Sequence, residues 1–151
     1  MQRVTPFLWF DGQAEEAARL YTSIFKNSKI GAITPGADGK VMMVTFSVDG
    51  VEFMALNGGP EFTFSEAISF FVSCETQQEI DEYWSALTSG GGEEGRCGWL
   101  KDRFGLSWQI VPAALGSLMS GPDQAAAERV RTALLEMNKI DLGRLEAAYA
   151  G

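Results

Sequence analysis

The chain has 151 residues, with 12 Lys and Arg against 20 Asp and Glu, two Cys and no His. Without imidazole there is no Ser-His-Asp or Cys-His machinery, no histidine base near neutral pH and no His metal ligand. The net charge of −8 opposes nucleic-acid binding, which needs a basic footprint, and no apolar run approaches the roughly 20 residues of a membrane span.

The length predicts one domain with a substantial core. The opening MQRVTPFLWFDG reaches an acidic turn without the apolar core and cleavage site of a signal peptide. Two Cys outside a CxxC spacing predict reduced thiols and a cytoplasmic location, with a Cys74–Cys97 bridge as the minor alternative.

Residues 4–11 form an apolar run ending in turn chemistry. Ala14, Ala17, Ala18, Tyr21, Ile24 and Phe25 then follow the i, i+3, i+4 spacing of one helix face. Strands are predicted over 28–34, 41–48 and 51–57. Asp38-Gly39 and Asp49-Gly50 separate them, and Asp-Gly between apolar runs signals a two-residue hairpin.

The pattern then recurs about 63 residues on. Residues 67–74 are a second apolar run, Thr76 to Glu79 is a capping-box signature, and Ile80, Tyr83, Trp84 and Leu87 line a helix face. A short segment at 96–101 and a strand at 106–112 complete the second copy, with Met54 and Gln109 in corresponding places. Both faces of the first strand are apolar, with Phe7 and Trp9 on one and Val4, Leu8 and Phe10 on the other. Such a strand needs a layer on each side. The predicted class is therefore α+β, with paired βαβββ modules forming a curled mixed sheet around a central pocket.

Module one covers about 4–57 and module two about 67–112, within a single domain spanning 1–151. The extension at about 113–151 is helical. Ser120 to Asp123 supply caps for a helix at 124–138, and Asp141 caps a last one. Its apolar stripe (Val130, Leu134, Met137) must pack on the core or on a partner subunit.

The paired modules resemble the vicinal oxygen chelate superfamily, which includes glyoxalase I, bleomycin-resistance proteins and extradiol dioxygenases. The blocks Thr5-Pro6-Phe7-Leu8-Trp9-Phe10-Asp11-Gly12, Ala55-Leu56-Asn57-Gly58-Gly59-Pro60, Cys97-Gly98-Trp99-Leu100-Lys101-Asp102-Arg103 and Leu106-Ser107-Trp108-Gln109-Ile110-Val111-Pro112 look like its PhnB-like branch, as does the tail 135–142.

Metal-dependent members of that superfamily place a His on the first strand of each module and a Glu or Gln on the last. Those positions fall here at Val4 and Ala67, or at Pro6 and Ser69, and at Met54 and Gln109. At most one of four ligands survives, where a catalytic metal needs about three. The resemblance therefore implies a site without metal and without cofactor. Members of the branch carry the name 3-demethylubiquinone 3-methyltransferase, yet the chain has no strand–Gly-x-Gly–helix signature for an S-adenosyl group.

Gln109 stands where a ligand would be and projects inward by strand alternation, so its amide is the leading pocket candidate, against the plainer role of satisfying its neighbours. Met54, Ser69 and Trp99 are the other pocket candidates, Met54 being weighed chiefly as core filler. Cys97, near Arg96 and Lys101, is weighed as a nucleophile against a small buried side chain. Glu52, Glu61, Glu66 and Asp102 are weighed as bases, and none stands out.

Asn57-Gly58-Gly59-Pro60 and the Gly-rich stretch at 89–95 read as turns or lids, since they lack a P-loop ending. Phe7, Trp9, Phe70, Phe71 and Trp108 read mainly as core. The expected function is binding of a small cationic or aromatic molecule. A metal-independent enzyme on a small metabolite is the alternative, and a methyltransferase the weaker one. The net charge steers cations. A homodimer is expected, with no nucleic-acid or membrane partner.

Overall fold

The computed structural model describes residues 2–151. They form two compact units that divide between Phe64 and Ser65. The class is the expected α+β fold of paired modules, and its hydrogen bonding gives two separate four-stranded mixed sheets. Among the described residues no helix is long and apolar enough to cross a membrane.

Unit one opens with β1 (Phe7–Phe10), which buries Leu8 and Phe10 and turns Phe7 and Trp9 to the other face. Helix α1 (Ala14–Ile24) buries Ala14, Ala17, Ala18 and Tyr21 on one stripe, as its spacing requires. Strands β2 (Lys29–Pro35), β3 (Val41–Val48) and β4 (Val51–Asn57) follow. Asp49 and Gly50 both have positive φ, 48° and 80°, the combination of a two-residue type I′ turn that matches strand twist. Asp38-Gly39 differs: it lies inside a wider loop closed by the Gly36 amide donating to the Lys40 carbonyl at 2.7 Å. Strand β4 pairs in parallel with β1, giving the order β1-β4-β3-β2. Helix α1 packs on this sheet, where Phe46 and Phe53 stack at 5.3 Å and Tyr21 lies beside Phe46.

Unit two repeats the plan with β5 (Phe70–Cys74), α2 (Gln77–Thr88), β6 (Glu93–Glu94), β7 (Trp99–Lys101) and β8 (Ser107–Pro112), in the order β5-β8-β7-β6. The expected cap forms at Thr76, with the return bond displaced by one residue. Thr76 accepts from the Glu79 amide at 3.2 Å, and the Glu79 carboxylate accepts from the Glu75 amide at 2.9 Å. Ile80, Trp84 and Leu87 bury α2 against the sheet.

Two expectations shift. The run predicted from 67 becomes strand only at Phe70, and the Gly-rich stretch read as a turn contains β6, whose Glu93 sits opposite Lys101. The β7–β8 turn is tied down by Asp102. One carboxylate oxygen accepts from the Phe104 and Leu106 amides at 2.9 and 3.1 Å, and the other from the Trp108 indole at 2.9 Å.

The two repeats are offset by 63 residues in their helices (Tyr21 with Trp84) but by 64 in their first strands. Phe7 lies opposite Met54, and Phe71 opposite Gln109. The cause is one extra residue between β1 and α1, where Gly12 adopts φ 79°. The strand position matching Ser69 is therefore Thr5. The expected pairs Val4 with Ala67 and Pro6 with Ser69 each miss by one residue.

Beyond β8 come α3 (Leu115–Ser120), α4 (Gln124–Leu135) and α5 (Leu142–Ala150). Asp123 and Asp141 cap α4 and α5 by accepting from the amides of Ala126 and Arg144. Helix α4 stops at Leu135, short of the expected 138, and α3 was not anticipated. The apolar stripe packs within the unit: Val130, Met137, Ile140 and Leu145 form a core with Val111 of β8. The amides of Cys97 and Gly98 donate to Met137 and Asn138 carbonyls, both at 2.8 Å, tying the sheet to the α4–α5 connection.

Candidate ligand-binding site

Strand alternation gives the sheet of unit two a helix face and an opposite face. Leu100, Trp108 and Ile110 are buried toward α2, so Trp99, Gln109, Val111, Phe71 and Ser73 stand on the other side. Gln109 is the centre of one cross-strand row, with Phe71 opposite it on β5 and Trp99 opposite it on β7. Its amide nitrogen donates to the Ser69 hydroxyl at 2.9 Å.

This face forms the floor of a cleft of about 520 Å³, within the range of small-molecule sites. Helix α3 supplies Leu115, Gly116 and Met119 to its wall, and α4 supplies Leu134. The cleft thus combines aromatic sides, an aliphatic wall, a central amide, the Ser73 hydroxyl and the Cys97 thiol.

Cys97 lines the same cleft and is half-buried. Its backbone holds a left-handed φ of 59°, and its thiol faces the Leu134 carbonyl at 3.6 Å. Cys74 is buried, and desolvation first, with Glu79 nearby, pushes its thiol up to about 11. Both thiols are free.

A second, smaller cleft of about 230 Å³ adjoins Trp99 and carries the charged side chains Glu66, Glu93, Glu94 and Lys101 beside Ser107. A hydrogen bond and ion pair with Lys101 hold the Glu66 carboxyl below its ordinary range, and the same pair raises Lys101. The buried Ser107 hydroxyl has no hydrogen-bond partner among the described residues.

Of the sequence candidates, Gln109, Ser69 and Trp99 come together in unit two. Met54 holds the equivalent place in unit one, between Phe7 and Thr45 in its own ladder. Phe71 and Phe7, read as core, are 61% and 51% exposed, because alternation shows that a face is apolar but not that anything covers it. Asp102, weighed as a base, is only 3% exposed and spends its carboxylate on the turn described above. Sequence reading missed Leu115, Met119 and Leu134 as site residues. Leu134 belonged to an apolar stripe of open destination, while Leu115 and Met119 lie on the unanticipated α3.

The superfamily's metal does not fit these residues. Ser69 and Gln109 offer a hydroxyl and an amide, already bonded to each other, and Met54 offers a thioether. No group of three His, Cys, Asp or Glu among the described residues is placed to hold a metal ion.

The sequence profile of the family described as 3-demethylubiquinone-9 3-methyltransferase matches residues 2–111. A PhnB protein from Bacillus cereus, described under the same methyltransferase name, is 37% identical and superposes with a TM-score of 0.69. The match covers 74% of this chain and all of that one. A protein from Pseudomonas aeruginosa shares the fold at 20% identity and a TM-score of 0.60, covering 74% of this chain and 96% of that one. So does a fosfomycin resistance protein from Listeria monocytogenes, crystallised with Mn(II) and sulfate, at 15% identity and a TM-score of 0.54, covering 71% and 88%. No curated protein matches the chain.

Proposed function

Since the chain belongs to the 3-demethylubiquinone-9 3-methyltransferase family, the PhnB-like branch of the vicinal oxygen chelate superfamily, we propose that it is a metal-independent small-molecule binding protein whose site is the cleft around Gln109. The observation that carries this reading is Gln109, held by a 2.9 Å hydrogen bond to Ser69, on the floor of a mostly apolar cleft. An amide there orients a ligand by donating or accepting one hydrogen bond, while the apolar wall supplies most of the affinity.

Two further observations support it. The residues at the superfamily's ligand positions are a thioether, an amide and hydroxyls, a poor set for a divalent cation. The strand-to-helix turns that a methyl donor's nucleotide would need are Asp11-Gly12-Gln13 and Glu75-Thr76, without a Gly-x-Gly.

A thermal-shift screen with small metabolites, drug-like compounds and S-adenosylmethionine tests the reading, because a ligand that binds only the native state raises Tm. Saturable stabilisation by a small molecule, reduced in Gln109→Leu, is the expected result. Saturable stabilisation by S-adenosylmethionine, or stoichiometric divalent metal in tag-free protein, overturns it. The same reading makes the chain a cytoplasmic homodimer. The free thiols suit a reducing compartment, and a solution mass of twice 16.4 kDa is expected.

A further inference from the structure

Resting on the reading that the cleft of unit two is a ligand site, we propose that its ligand is an uncharged planar aromatic molecule with one hydrogen-bonding group, and that helices α3 and α4 set its selectivity. The family profile ends at residue 111. Leu115, Gly116, Met119 and Leu134, which wall the cleft, all lie beyond that point. Most of the floor lies within the profile and the wall lies outside it, so the wall is the part of the cleft that the matched family region does not specify.

The chemistry of the lining defines the ligand class. No charged side chain lines the cleft, so an ion entering it would lose water and gain no counter-charge. The acidic surplus of the chain steers cations to its surface without reaching this interior. The ion pair of Glu66 with Lys101 belongs to the neighbouring cleft. Phe71 and Trp99 flank Gln109 across the ladder, an arrangement that favours a flat aromatic body through ring contacts. The Gln109 amide then selects for a hydroxyl, carbonyl or amide on that body.

A matched set of naphthalenes tests this by calorimetric titration of the full chain: naphthalene, 2-naphthol, 2-naphthoate and 2-naphthylmethylamine, the last two charged at pH 7. One 2-naphthol per chain is expected, with naphthalene about tenfold weaker for want of its hydrogen bond. Both charged analogues are expected to be at least tenfold weaker than 2-naphthol. Gly116→Trp tests the wall. A Cβ at Gly116 meets nothing within 4 Å, so a large side chain there occupies the mouth without disturbing the core. It is expected to weaken 2-naphthol at least tenfold with Tm unchanged or raised, since Gly is a poor helix former.

If a charged analogue binds best and Gly116→Trp still blocks it, the site stands and the ligand class is overturned. If 2-naphthol binds equally well to Gly116→Trp, the role of the helices is overturned. If none of the four saturates, this inference falls, and saturable stabilisation by another small molecule in the thermal-shift screen shows that the binding reading beneath it still stands.

Discussion

Gln109 and Ser69, 40 residues apart in sequence, share a hydrogen bond of 2.9 Å on the open face of one sheet. Both are half-buried, so the bond orders the Gln109 side chain more than it stabilises the fold. Gln109→Leu is expected to cost less than about 1 kcal/mol of stability, because water replaces the lost partner at Ser69. The same change is expected to weaken a hydrogen-bonding ligand about tenfold. Urea unfolding and a binding titration on the same preparation separate the two effects. An affinity unchanged by the substitution removes Gln109 from the site.

Asp102 is the opposite case. Its carboxylate accepts from two backbone amides and the Trp108 indole in a buried turn. Asp102→Ala strands all three donors, each costing roughly 1–3 kcal/mol when buried and unpaired. A loss of about 3 kcal/mol or more is expected, read as a lower urea midpoint with an unchanged slope. A loss below about 1 kcal/mol would show that water takes over the turn.

Gly98 has φ 85°, and a Cβ there would meet the Ile110 carbonyl oxygen and the Ile140 side chain, both at 2.8 Å. Gly98→Ala therefore combines left-handed strain with a backbone clash, and is expected to destabilise by about 2 kcal/mol or more. Gly116→Ala, in open space, is the matched control and is expected to be neutral or stabilising.

The Cys74 thiol is raised from its ordinary 9.0 to about 11, chiefly by burial. The sign follows directly. Below pH 9 the thiol is protonated in both folded and unfolded chains, and it contributes no pH dependence. As pH rises from 9 toward 11 the unfolded chain loses its proton first, so stability falls through that window. Cys74→Ala is expected to flatten this fall in Tm between pH 9 and 11. A wild-type profile no steeper than that of the variant would remove burial of Cys74 as its cause.

Much of the fold was legible because its signals are local. Strands β3 and β4 match the predicted 41–48 and 51–57, since Asp49-Gly50 fixes a turn and alternation does the rest. Thr76, Asp123 and Asp141 announced three helix starts through cap chemistry. Helix α3 went unseen because Ala114, before it, offers no capping side chain and the helix buries no residue fully. Of the residues that line the candidate cleft, Gln109 stood out in the sequence through its place in the repeat, whereas Leu115 and Met119 did not. Which surface an apolar stripe covers is a long-range outcome, and no spacing in the sequence encodes it. The extra residue at Gly12 hid the true correspondence of Thr5 with Ser69 for a related reason, since a helix-based alignment cannot register an insertion in the preceding turn.

The two hydrogen bonds from Cys97 and Gly98 to the α4–α5 connection have a kinetic meaning. These amides can exchange with solvent only when the helical extension lifts from the sheet. Their exchange therefore reports one sub-global opening event, separable from fraying at strand ends. A ligand lodged between the sheet and α3–α4 must slow that event, since release of the helices would dismantle the wall it rests on. Deuterium uptake at positions 97 and 98 thus offers a clock for the opening of the cleft, readable before any ligand has been identified.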